Sequence, residues 1–100
     1  MRKYEIMFIV KSTLSEEDIK KVASSFQKTL ETNGAKVTNV DAWGQRPLAY
    51  EIKRGNEVHK SGNYYVINLE SKDDKAVKEF DRLALISSDI IRHLIIKKED

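Results

Sequence analysis

Few side chains in this sequence have the type and spacing for covalent or metal chemistry. There are two histidines: His59 in a polar stretch and His93 in an apolar one, both without flanking residues at metal-ligand spacing. A structural role is the expectation for each. Cysteine is absent, which excludes disulfides, thiol nucleophiles and cysteine-ligated zinc. Glu16, Glu17 and Asp18 form an acidic run, but their place in a first helical turn accounts for them. No glycine-rich phosphate loop is present, and Arg54-Gly55-Asn56 reads as a turn. What remains is positive charge by placement. Arg2 and Lys3 open the chain, Arg46, Lys53 and Arg54 flank its middle, and Arg92, His93 and Lys97 lie near its end. Such groups can neutralise a phosphate backbone. With 18 basic against 16 acidic residues, the net charge is only +2, so a nucleic-acid reading rests on where those groups sit.

One hundred residues suffice for one domain with a real core, and no stretch approaches the length of a membrane span. The apolar run Ile6–Val10 is too short for a signal-peptide core. Instead, residues 3–10 alternate as a first strand: Tyr4, Ile6, Phe8 and Val10 line one face, with Glu5, Met7 and Ile9 on the other. Apolar content on both faces places this strand centrally. Met7 and Ile9 are expected either to lie beneath a loop or partner or to remain exposed.

Ser15 is an expected N-cap, and Ile19, Val22, Ala23, Phe26 and Leu30 form the buried stripe of a helix ending at Asn33-Gly34. A second strand follows from Lys36. The spacing from Val40 to Trp43 is three rather than two, and Gly44 and Pro47 follow, which predicts a bulge in an edge strand. Leu48, Tyr50 and Ile52 resume the alternation as far as Lys53. Glu57–Asn63 reads as a polar connection to a third, central strand around Tyr64–Leu69. Ser71 is expected to cap a shorter helix carrying Ala76, Val77, Phe80 and Leu83, and Leu85–Asp89 reads as a connection. The last strand runs from Ile90 or Ile91 to about Lys97. Its paired isoleucines leave its faces unassigned, and Lys98-Glu99-Asp100 forms a short charged end.

The order strand, helix, strand, strand, helix, strand predicts an α+β, ferredoxin-like βαββαβ sandwich. Its four-stranded antiparallel sheet carries two helices on one face, with strands 1 and 3 in the centre. In that arrangement Arg2, Lys3 and Arg92 are expected to gather on one side. Three function classes share the topology. An acylphosphatase-like enzyme needs an arginine in its first loop, and Lys11-Ser12-Thr13-Leu14 contains none. A homo-oligomeric regulatory or binding module would use Met7 and Ile9 at its interface. An RNA-binding module stacks bases on central-strand aromatics, here Tyr4 and Phe8 on the first strand and Tyr64 or Tyr65 on the third, but Tyr4 and Phe8 share the expected core face, which favours backbone recognition over stacking.

The most distinctive stretch is Trp43-Gly44-Gln45-Arg46-Pro47-Leu48-Ala49-Tyr50-Glu51-Ile52-Lys53. It resembles the glycine, basic residue, leucine-alanine-tyrosine, isoleucine-lysine pattern of the family of the sixth protein of the bacterial small ribosomal subunit. Met1–Glu5, Gly62 with Tyr64, and Ile90–Lys97 with Arg92 are similar to other parts of that family, so the resemblance spans nearly the whole chain. Pro47 departs from it, since a basic residue is common there. The resemblance implies a cytoplasmic, non-catalytic ribosomal component without cofactor, metal, membrane or small-molecule substrate. It would bind the central domain of small-subunit ribosomal RNA together with the eighteenth small-subunit protein. The residues expected at the RNA are Arg2, Lys3, Arg46, Lys53, Arg54, Arg92, His93 and Lys97, with Tyr4 nearby. Trp43, Pro47, Leu48 and Tyr50 are expected at the partner protein.

Overall fold

A computed structural model describes residues 2–54 and 56–98. Met1, Gly55 in the expected turn, and Glu99 and Asp100 in the expected charged end lie outside the described residues. The elements are β1 (Arg2–Lys11), α1 (Glu16–Thr32), β2 (Lys36–Arg54), β3 (Glu57–Ser71), α2 (Lys75–Ile86) and β4 (Ile90–Lys98). The antiparallel sheet has the order β2-β3-β1-β4, so β1 and β3 are central, as expected from their apolar content on both faces.

The helices cover the face carrying Tyr4, Ile6, Phe8 and Val10, and these residues join Ile67, Leu69, Phe26, Leu30 and Phe80 in the core. Helix α1 starts where expected. The Asp18 amide donates to Ser15 Oγ at 3.2 Å, satisfying one of the donors that a helix start leaves unpaired. At the other end the Asn33 amide donates to Thr29 O, and the chain leaves through Gly34 at φ 95°.

Three expected boundaries are corrected. Glu57–Asn63 is not a connection but the first half of β3, paired with β2 in a long hairpin. Arg54 pairs with Glu57, which commits the residues beyond them to the same ladder, and the stretch is polar because much of this ribbon meets solvent. Ser71 is not a helix cap. It is the buried last residue of β3, and Asp74 stands at the N-cap, while Asp73 Oδ1 accepts from the Lys75 amide at 3.0 Å. Leu85 and Ile86 belong to α2 rather than to the connection that follows. Near the start of α2, Lys78 lies 3.2 Å from Asp74 and holds that carboxylate below its ordinary pKa.

The β4 faces unreadable in the sequence follow from a bulge. Arg92 pairs with Ile9, but Val10 pairs with Ile90, leaving Ile91 as the extra residue. Ile90 and Ile91 are therefore both buried although adjacent. Beyond the bulge, alternation resumes. His93 and Ile95 stand opposite Phe8 and Ile6 on the helix side, and Arg92, Leu94 and Ile96 stand opposite Ile9, Met7 and Glu5 on the open face.

Candidate functional site

The open face of the sheet has no helix over it, and the chain itself crosses part of it. The β2–β3 pairing breaks between Pro47 and Ile52, which partner Ser61 and His59, so β2 carries extra residues there. The extra length turns Leu48–Ile52 back over the sheet. Leu48 and Tyr50 then share a cavity of about 180 Å³ with Met7, Ile9, Tyr64 and Arg92. Ile9 is buried and Met7 half-buried, so of their two expected states the covered one is found. The cover is a segment of the same chain.

Two arginines on this side rest on aromatic rings. The Arg46 guanidinium lies 5.7 Å from the Trp43 ring centroid, and its Nε donates to Trp43 O at 3.4 Å. Trp43 in turn stacks on Tyr64, with centroids 6.0 Å apart and planes 9° from parallel. This stack depends on a second irregularity. Ala42 pairs with Tyr65 and Gly44 with Tyr64, leaving Trp43 as an unpaired bulge residue, and Gly44 takes φ 80°, which an L side chain rarely adopts. On β4, Arg92 lies 5.9 Å from the Tyr50 centroid, and its Nη1 donates to Tyr50 Oη at 3.2 Å. Such geometry is within cation–π range. Among the described residues neither guanidinium forms an ion pair. Leu94 and Ile96, 49% and 44% exposed, continue the open face along β4.

The other expected contact residues are dispersed. Arg2, Lys3 and Arg92 do not gather. Arg2 has the alternation of Tyr4, and the Tyr4 side chain, then Asp74 and Asp73, raise its pKa. Lys3 shares the open face with Arg92, but Arg92 pairs six residues further along β1, roughly 20 Å away. There Lys3 stands opposite Lys98, which lies 3.1 Å from Glu5 and donates to Asn68 Oδ1 at 2.9 Å. His93 points to the helix side, 2.7 Å from Asp81 Oδ1 and edge-on to Phe80. Lys97, opposite Tyr4, is exposed on that same side. Lys53 is exposed on the ribbon, as is Pro47, while Leu48 is half-buried.

Arg54 has a structural partner. Its Nη2 donates to Leu85 O at 2.8 Å, Ser87 O at 2.9 Å and Ala84 O at 3.4 Å, carbonyls that the end of α2 leaves without intrahelical donors. The ribbon is thereby tied to α2. Arg54→Met, which keeps the aliphatic stem, is expected to cost about 1–2 kcal/mol in urea unfolding and to speed amide exchange around Ser87. Unchanged exchange there would remove Arg54 as a cap. The contact spans thirty residues and has no local sequence signal. Tyr64, a candidate stacking residue from the sequence, stands opposite Ile9 on the open face and belongs to this surface, whereas Tyr65 stands opposite Phe8 on the core side.

Together these features define a class: a ferredoxin-like α+β binding module that presents a sheet face, not a pocket of reacting groups. Among the described residues, no group of three or more His, Cys, Asp or Glu is placed to hold a metal ion, and no helix is long and apolar enough to cross a membrane. Within that class, the model of the family described as Ribosomal protein S6 matches residues 3–97, and the chain belongs to this family. The crystal structure of 30S ribosomal protein S6 from Thermotoga maritima is similar to it, with a TM-score of 0.87 and 28% sequence identity, covering 97% of this chain and 87% of that chain. The expected family and fold are thus met. The chain is a structural protein of the small ribosomal subunit and not an enzyme, which sets aside the acylphosphatase-like alternative.

Proposed function

We propose that residues 1–100 act as one RNA- and protein-binding domain. In cytoplasmic ribosomes it binds the central domain of small-subunit ribosomal RNA together with the eighteenth protein of that subunit. The observation that carries this reading is the placement of Arg46 and Arg92. Both lie at the open sheet face, on aromatic rings and without carboxylate partners among the described residues, and exposed Leu94 and Ile96 follow Arg92 on the same face of β4. Guanidinium groups grip phosphate oxygens through paired N–H donors, and apolar side chains next to them suit a protein partner. Lys3 and Lys53 add exposed positive charge, and Pro47 and Leu48 extend the partner surface. Arg54 and His93 act inside the fold, holding the ribbon and β4 in place.

A net charge of +2 supplies little long-range attraction, so assembly is cooperative, with the partner protein contributing surface that the RNA contacts alone do not. The test is reconstitution with small-subunit RNA, with and without the partner, across a salt series. Binding is expected to need the partner and to weaken as salt rises. Arg92→Ala should reduce affinity about fivefold to tenfold and lower the slope of log affinity against log salt by about one, without shifting the unfolding midpoint. Absence of binding at low salt with the partner present would overturn the reading.

A further inference from the structure

We propose that Trp43, Tyr64 and Tyr50 are positioning residues for RNA: they hold the Arg46 and Arg92 guanidinium groups in fixed orientations that receive backbone phosphates. The inference rests on the ribosomal-RNA reading above and assigns Trp43 and Tyr50 a different role from direct contact with the partner protein.

The arginines of this chain divide by what holds them. Arg2 is held first by the Tyr4 side chain, with Asp74 and Asp73 contributing less, Arg82 pairs with Glu79, and Arg54 is consumed by the carbonyls at the end of α2. Among the described residues, Arg46 and Arg92 are the arginines whose guanidinium lies over an aromatic ring, and neither forms an ion pair. A carboxylate would neutralise the charge that a phosphate needs. A ring orients a guanidinium while leaving that charge in place.

The supports are themselves built. Trp43 is fixed from below by Tyr64, a residue of a central strand, so Arg46 is the outer layer of a three-layer stack. Its Nε is occupied by Trp43 O, which directs the remaining N–H donors of the fork outward. Tyr64 also lines the cavity that holds Tyr50 and Arg92. The stack Arg46, Trp43, Tyr64 and the pair Tyr50, Arg92 therefore meet at one cavity of the open face. A long arginine side chain loses rotamer freedom when it binds, and one already held loses less, so the rings raise affinity without touching RNA. RNA is favoured over an acidic protein segment because planar, paired donors on a rigid sheet match phosphate oxygens, and because the chain belongs to a ribosomal family.

The test is a pair of double-mutant cycles in the full chain, with binding to small-subunit RNA measured in the presence of the partner protein. Trp43→Ala is expected to weaken binding about threefold to tenfold and to flatten its salt dependence, while Trp43→Phe, which keeps a ring on Tyr64, stays within about twofold. In an Arg46→Gln background, Trp43→Ala should add less than about twofold, because the group it positions is gone. Tyr50→Ala should behave likewise against Arg92→Gln. Tyr50 is 65% exposed, so this second cycle decides the matter if Trp43→Ala proves poorly folded. Equal losses in both backgrounds, or loss of partner-protein binding with RNA absent, would overturn the proposal while leaving the ribosomal-RNA reading intact. A wild-type chain that binds no RNA with the partner present would overturn both.

Discussion

Replacing Phe80 by alanine is expected to lower the unfolding free energy by about 3–5 kcal/mol. Phe80 has no exposed surface and sits where α2 meets both α1 and the sheet. Its ring centroid lies 5.1 Å from Phe26 on α1, 5.8 Å from Phe8 on β1 and 5.8 Å from His93 on β4. Alanine would leave a cavity bordered by three elements, none of which can close it without breaking a neighbouring contact. Small domains have about 5–15 kcal/mol in total, so the variant would be partly unfolded at moderate urea concentrations. Urea unfolding followed by circular dichroism reads the loss directly, and a loss below about 1 kcal/mol would show that Phe80 is not the hub. Phe80→Leu, which fills much of the space, should lose considerably less.

The second large effect is expected at Gly62, where alanine should cost about 1–3 kcal/mol through overpacking. A Cβ there would fall well inside contact distance of Ile9 Cγ2, with Ile91 Cδ1 and Val10 O both at 3.4 Å. Ile9 is itself buried, and its branched methyl sits next to the backbone, so it cannot swing away as the end of a longer chain would. The close approach occurs where the β2–β3 ribbon leaves the end of β1, so the strain would fall on the segment that carries Leu48–Ile52 over the sheet. Chemical denaturation of Gly62→Ala, Ile9→Ala and the double variant tests the cause. The double variant should lose less than the sum of the singles, because Ile9→Ala removes the clashing methyl. Strict additivity, or a Gly62→Ala variant as stable as the parent, would reject a steric origin.

Much of the fold was legible because it is carried by local patterns. The alternation in β1 placed Tyr4, Ile6, Phe8 and Val10 on the core face, and Ser15 with Asn33-Gly34 bounded α1 correctly. The irregular spacing from Val40 to Trp43 marked a bulge that is present. Boundaries failed where tertiary pairing outweighed local preference. Ser71 has the chemistry of a cap, but its register opposite Arg2 keeps it in the sheet. Glu57–Asn63 has the polarity of a loop, yet the turn before it commits it to pairing with β2.

The candidate site was legible as a list of positive residues but not as an arrangement. Arg92 and His93 are neighbours in sequence and face opposite sides of β4, one toward the open face and the other toward Asp81. Arg46 and Arg54 flank one motif, yet one is stacked on Trp43 and the other closes the end of α2. Charge count and spacing do not separate such cases, because the partners that sort Arg54 and Arg92 lie thirty and forty-two residues away.

By itself the sequence determined the element order, the central strands, the core face and the absence of cysteine chemistry, and its Trp43–Lys53 motif pointed to the ribosomal family. These follow from hydrophobic periods, caps and turn residues, which act over a few positions and survive in the linear text. Only the tertiary structure decided which arginines rest on aromatic rings, why Ile90 and Ile91 are both buried, and what covers Met7 and Ile9. Each depends on an extra residue in one strand opposite a regular neighbour. A bulge reverses the facing of every residue beyond it, and its consequence appears only once the partner strand fixes the register.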